Sequence, residues 1–141
     1  MPRVNIQQCQ PEAYNAMFGL EKYLANSTID ADLQEIIRVR ASRLNGCQFC
    51  IGMHTRGAEK LGVSTKKVAA IADWQQSNLF SPKEQAALAM SDSITRLSVN
   101  GLPDDVYQNA ENFFNEHEMA QLIMLIATIN AWNRIGVSMT G

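Results

Sequence analysis

The chain has 141 residues, 46% of them hydrophobic, close to the commonest size of one domain and enough to bury roughly 70% of its unfolded surface. Such a chain folds without a metal or a disulfide staple. Its net charge of −2, with no cluster of Lys and Arg, lacks the electrostatic footprint of a nucleic-acid or anionic-membrane binder.

The opening residues Met1–Gln8 carry no apolar core of signal-peptide length, so a cytoplasmic chain is expected. Pro11 suits a first helical position, and Tyr14, Met17, Phe18, Leu24 and Ala25 follow at helical spacing. Asp30 is placed to cap a second helix, in which Leu33, Ile36, Ile37, Arg40 and Leu44 trace one stripe and Asn45-Gly46 supplies the stop. A third helix opens near Cys47, runs through Cys50 and His54, and ends at Leu61-Gly62. Ser64 caps a fourth, with Val68, Ile71 and Trp74 on one face and an end at Ser77-Asn78.

Ser81-Pro82-Lys83-Glu84 is a capping box with proline at the first helical position, followed by Ala87, Met90, Ile94 and Leu97. Asn100-Gly101-Leu102-Pro103 breaks the chain before Val106, Tyr107, Ala110, Phe113 and Phe114, again at helical spacing. Asn115 and Glu118 then open a last helix from Met119 to about Arg134, apolar nearly all round between Leu122 and Ala131. That stretch is shorter than the roughly 20 apolar residues of a bilayer span and reads as a central helix or a subunit interface. With no strand pattern, repeat or linker, the sequence predicts one all-α domain over 1–141, built from six or seven helices.

The stretch that carries chemistry is Cys47-Gln48-Phe49-Cys50-Ile51-Gly52-Met53-His54. On a helix the two thiols and the imidazole share one face. The first turn of a helix presents unpaired N–H groups and a positive dipole end, which favour thiolate over thiol. His54, one turn after Cys50, can take its proton, so Cys50 is assigned as the attacking thiol and Cys47 as the resolving one. Glu35, on the preceding helix, folds back across the Asn45-Gly46 turn toward His54 as a second proton-transfer group.

A Cys-x-x-Cys can also be half of a zinc site, with His54 as third ligand; Cys9 or His117 would have to complete it from distant segments. Neither Cys9 nor His117 is otherwise given a role. Trp74 and Trp132 read as packing residues, and no glycine-rich phosphate loop or cofactor fingerprint is present, so neither a cofactor nor a metal is expected.

The pattern Glu35, Ser42-x-x-Asn45, Cys47-x-x-Cys50-x-x-x-His54, together with Asn130-Ala131-Trp132-Asn133-Arg134, resembles the AhpD-like alkylhydroperoxidases of the carboxymuconolactone decarboxylase family. The likeness spans Asp30 to about Leu97. It implies an all-α fold, assembly into homotrimers or homohexamers, and reduction of hydroperoxides at the Cys50 position. Cys47 would then close the disulfide, with Glu35 and His54 as proton relay. A dithiol reductant, lipoyl or thioredoxin-like, would restore the thiols. Some members place a relay histidine between the cysteines, where this chain has Phe49. Members that decarboxylate a muconolactone lack the cysteine pair, so the thiols favour redox chemistry over a lyase. The alternative is a thiol–disulfide adaptor or redox sensor using the same two cysteines.

Overall fold

A computed structural model describes residues 2–140, and among them every regular element is helical. The helices are α1 (Ile6–Cys9), α2 (Pro11–Ala25), α3 (Ala31–Asn45), α4 (Gln48–Lys60), α5 (Thr65–Ala70), α6 (Pro82–Thr95), α7 (Leu97–Asn100), α8 (Asp104–Glu111) and α9 (Glu116–Met139). A 3₁₀ segment, Ile71–Gln76, continues α5. Seven of the α-helices correspond to the segments expected from periodicity. The two additions, α1 and α7, are four-residue pieces too short to show a period.

Local signals set most boundaries. Ser81 and Glu84 form the reciprocal capping box of α6, and Asn115 and Glu118 form that of α9. Gly46, at φ 68°, ends α3 in the left-handed conformation that glycine adopts without a Cβ penalty. The Gly46 N–H donates to the Arg43 carbonyl and the Cys47 N–H to the Ser42 carbonyl, the paired bonds of a Schellman motif.

Three expectations need correction. Asp30 stands at the N-cap of α3 but makes no side-chain cap bond. The expected fourth helix is not continuous: after Ala70 it tightens to 3₁₀ and kinks at Asp73 (φ −133°, ψ 48°), where Arg40 donates to the adjacent carbonyls of Ile71 and Ala72. Asp92 anchors the same guanidinium at 2.8 and 3.0 Å and accepts from the Trp74 indole. Leu97 lies outside α6, which ends at Thr95, and is 56% exposed.

Helix α3 is the hub, packed against α4, α6 and α9. Ile36, Ile37 and Val39 of α3 meet Leu88 and Met90 of α6 and Leu122, Leu125 and Ile126 of α9 in one apolar cluster. Helix α9 runs on past Arg134 to Met139, since Gly136 keeps an ordinary helical backbone. Length and composition alone would let α9 cross a bilayer, yet it carries the fully buried Asn133 into the core.

Candidate active site

Cys47 occupies the junction where α3 stops and α4 starts. Its N–H closes the Schellman motif of α3, and its carbonyl accepts the first helical bond of α4 from the Ile51 N–H at 2.9 Å. It is also the N-cap of α4: its Sγ accepts from the Cys50 N–H at 3.3 Å. Cys50 is the third residue of α4, still within the turn whose backbone N–H groups lack helical acceptors. The two sulfurs are joined in a disulfide with their Cα atoms 5.3 Å apart. Cys47 is 3% exposed and Cys50 5%, so the bridge lies just beneath the surface.

Helix α9 covers it. A Cβ built on Gly136 would stand 3.1 Å from Cys47 Sγ and 3.7 Å from Cys50 Sγ. Only glycine lets the α9 backbone approach the bridge this closely without displacing it.

One turn beyond Cys50, the mostly buried His54 meets Glu35 of α3, with Nδ1 2.7 Å from Oε2. Glu35 Oε1 accepts from Arg38 Nη1 at 3.1 Å, and Arg38 Nη2 reaches Glu21 Oε2 of α2 at 3.4 Å. Glu21 Oε1 in turn accepts from the Trp132 indole of α9 at 2.9 Å. The line His54–Glu35–Arg38–Glu21–Trp132 therefore joins four helices. A carboxylate accepts hydrogen bonds only, so Nδ1 is the donor to an ionised Glu35, and in the neutral imidazole Nε2 is then the acceptor. Gly57 makes room for the pair, since a Cβ there would lie 3.0 Å from Glu35 Oε2.

A second polar network holds the cysteine junction to α9. Asn45 Nδ2 donates to Asn130 Oδ1 and Asn133 Oδ1, each at 2.9 Å. Asn133 Nδ2 donates to the buried Ser42 Oγ at 2.9 Å, and Asn130 Nδ2 to Thr95 Oγ1 at 3.0 Å. Arg134 completes it through Asn130 Oδ1 at 2.8 Å. The Ser-x-x-Asn and Asn-Ala-Trp-Asn-Arg segments are thus two halves of one clamp.

All four residues singled out in the sequence, Glu35, Cys47, Cys50 and His54, line the α3–α4 corner. Phe49, between the two cysteines, is 72% exposed. Cys9 on α1 and His117 on α9 are both exposed, and no group of three or more His, Cys, Asp or Glu clusters in metal-holding geometry among the described residues. Reading along the chain missed Arg38, Glu21, Gly57 and Gly136, and gave Trp132 only a packing role. The available signal was glycine in mid-helix: each costs about 1 kcal/mol relative to alanine, which marks a close approach.

Residues 11–92 match the carboxymuconolactone decarboxylase family. The chain is 36% identical to the uncharacterized protein YdfG of Bacillus subtilis, over 97% of its own length and 93% of YdfG. Its fold is similar to the crystal structure of ATU0492 from Agrobacterium tumefaciens, a protein of unknown function given as a candidate AhpD antioxidant defence protein. That match has TM-score 0.95 and 32% identity, and covers 99% of this chain and 95% of the other. The debrominase Bmp8 is also similar, at TM-score 0.84 and 25% identity, over 94% of this chain and 72% of Bmp8.

Proposed function

The chain belongs to the carboxymuconolactone decarboxylase family, and on that footing we propose that it is a thiol-dependent peroxidase that reduces hydroperoxides through Cys50 and a Cys47–Cys50 disulfide. The carrying observation is the disulfide at the N-terminus of α4 with a hydrogen-bonded His54–Glu35 pair one turn along the same helix.

In this reading Cys50 attacks the peroxide as a thiolate, favoured by the helix N-terminus. The O–O bond breaks, Cys50 becomes a sulfenic acid, and the alcohol leaves with a proton delivered from His54. Cys47 then displaces water from Cys50 and closes the disulfide. Glu35, held on its other side by Arg38, orients the imidazole and completes the proton relay. A dithiol small enough to reach the covered bridge, such as a lipoyl group, returns both sulfurs to thiols.

The adaptor or sensor reading uses the same sulfurs. Their burial to 3% and 5% favours the peroxidase, because a small hydroperoxide reaches a covered thiol more readily than a folded partner's disulfide does. Steady-state assay with a hydroperoxide and a dithiol donor decides between them. Consumption of both, stoichiometrically and dependent on Cys50, is expected. No peroxide loss, with the disulfide still exchanging with the dithiol, would establish the adaptor.

A further inference from the structure

Between the first turn of α4 and the last turns of α9 lies a cleft of about 180 Å³, lined by Cys47, Gln48, Phe49, Gly136, Val137 and Thr140, with Gly46 at its edge. None of these residues is charged. Cys47 lines the cleft and Cys50 does not. The two cysteines are almost equally covered, so total exposure does not distinguish them, whereas the cleft does. Gly136 is the wall nearest the bridge, and its missing Cβ leaves open the space beside Cys47 Sγ.

We propose that this cleft is the entry site for the reducing thiol, that exchange takes place at Cys47 Sγ, and that small thiols without a positive charge are preferred there. The proposal rests on the disulfide being redox-active, as argued above. An incoming thiolate bonds to Cys47 Sγ as the Cys47–Cys50 bond breaks, and the electron pair leaves on Cys50 Sγ. That sulfur sits in the first turn of α4, where the helix N-terminus favours the thiolate, with His54 one turn away to protonate it. A second thiol of the donor then attacks the donor's own sulfur in the mixed disulfide. This releases Cys47, carries the new disulfide away, and leaves the donor's two electrons and two protons on Cys47 and Cys50. The lining sets the selectivity: it holds no carboxylate, and the positive end of the α4 dipole forms one wall, so a cationic thiol must shed hydration there without gaining a partner.

The test begins with oxidised wild-type protein, mixed briefly with mercaptoethanol, quenched with excess N-ethylmaleimide and mapped by peptide mass spectrometry. Mercaptoethanol on Cys47 with maleimide on Cys50 is expected. The reverse pattern, or an equal mixture, overturns the assignment of the exchange sulfur. Cysteamine, compared with mercaptoethanol at equal thiolate concentration, should reduce the bridge about tenfold more slowly, and equal rates overturn the selectivity. Gly136→Ala, checked by intact mass for its disulfide and by melting for its fold, should slow exchange about tenfold by narrowing access. Because the added methyl crowds Cys47 Sγ, Val137→Trp, which narrows the cleft from a partly exposed wall position, is run beside it, and unchanged exchange rates in both variants overturn the cleft as the route. If no thiol reduces the bridge at all, the redox reading fails with the proposal. If the bridge is reduced with the adduct on Cys50, the entry site alone fails.

Discussion

At the scale of single residues, the two thiols are told apart by their places on α4. Cys50 lies inside the first turn, while Cys47 is the N-cap, its N–H already committed to ending α3. Cys50→Ser is therefore expected to abolish peroxide turnover. Cys47→Ser should react once and stop at a Cys50 sulfenic acid that overoxidises with more peroxide. Mass spectrometry after one equivalent of hydroperoxide reads both; a sulfenic acid on Cys47 in Cys50→Ser, with Cys50 untouched in Cys47→Ser, would reverse the roles. His54→Gln and Glu35→Gln should fold yet slow the first step by about 10²–10⁴-fold, the usual size of general acid–base assistance. Stopped-flow oxidation rates at wild-type speed in both would remove the pair from the mechanism. These four residues were legible in the sequence because helical spacing and one turn at Gly46 bring them together. Glu21 and Trp132 were not, since the contacts that link them to Arg38 and to each other cross between α2, α3 and α9 and have no local spacing, whereas Arg38 stands three residues after Glu35 on α3, a spacing the sequence did offer.

At the scale of elements, the site depends on how the end of α3 and the start of α4 are held against α9. Ser42, Asn45, Asn130 and Asn133 supply that attachment from both sides, and Ser42 and Asn133 are wholly buried. Removing one partner strands the others without water. Asn133→Ala is expected to cost about 1–3 kcal/mol, the penalty of leaving a buried polar group unpaired. Denaturant unfolding of the variant checks this, and an unchanged midpoint and slope would show that the clamp is not a source of stability. Helix starts at Ser81 and Asn115 and the stop at Gly46 were readable because caps are local chemistry. The tightening after Ala70 was not, because the group that donates to the Ile71 and Ala72 carbonyls there is Arg40, thirty residues earlier.

At the scale of the whole molecule, one face remains apolar after the chain has folded. Helix α9 has less than half of its most apolar stretch buried, although it is the longest helix and the core's centre depends on it. Beside it, α6, α7 and α9 frame an open groove of about 600 Å³ lined by Ile94, Leu97, Ala127, Ala131 and Arg134 among others. Leu97, in its wall, is 56% exposed, and Val99, two residues along α7, is 69% exposed. Large apolar side chains in one contiguous area are the mark of an interaction surface, since water contact with them is unfavourable. We propose a second copy of the chain as the occupant, in a trimer or a hexamer made from two trimers, as the family resemblance read from the sequence implies. Light scattering at micromolar concentration should return a mass three or six times that of the chain. Leu97→Glu should lower that mass, because a carboxylate buried at a subunit contact without a partner costs several kcal/mol. The far-UV spectrum of the variant should be unchanged, since Leu97 is solvent-facing within the chain itself. A monomer mass for the wild type would mean that the exposed apolar face serves a different partner. A multimer indifferent to Leu97→Glu would place the subunit contact elsewhere on the molecule.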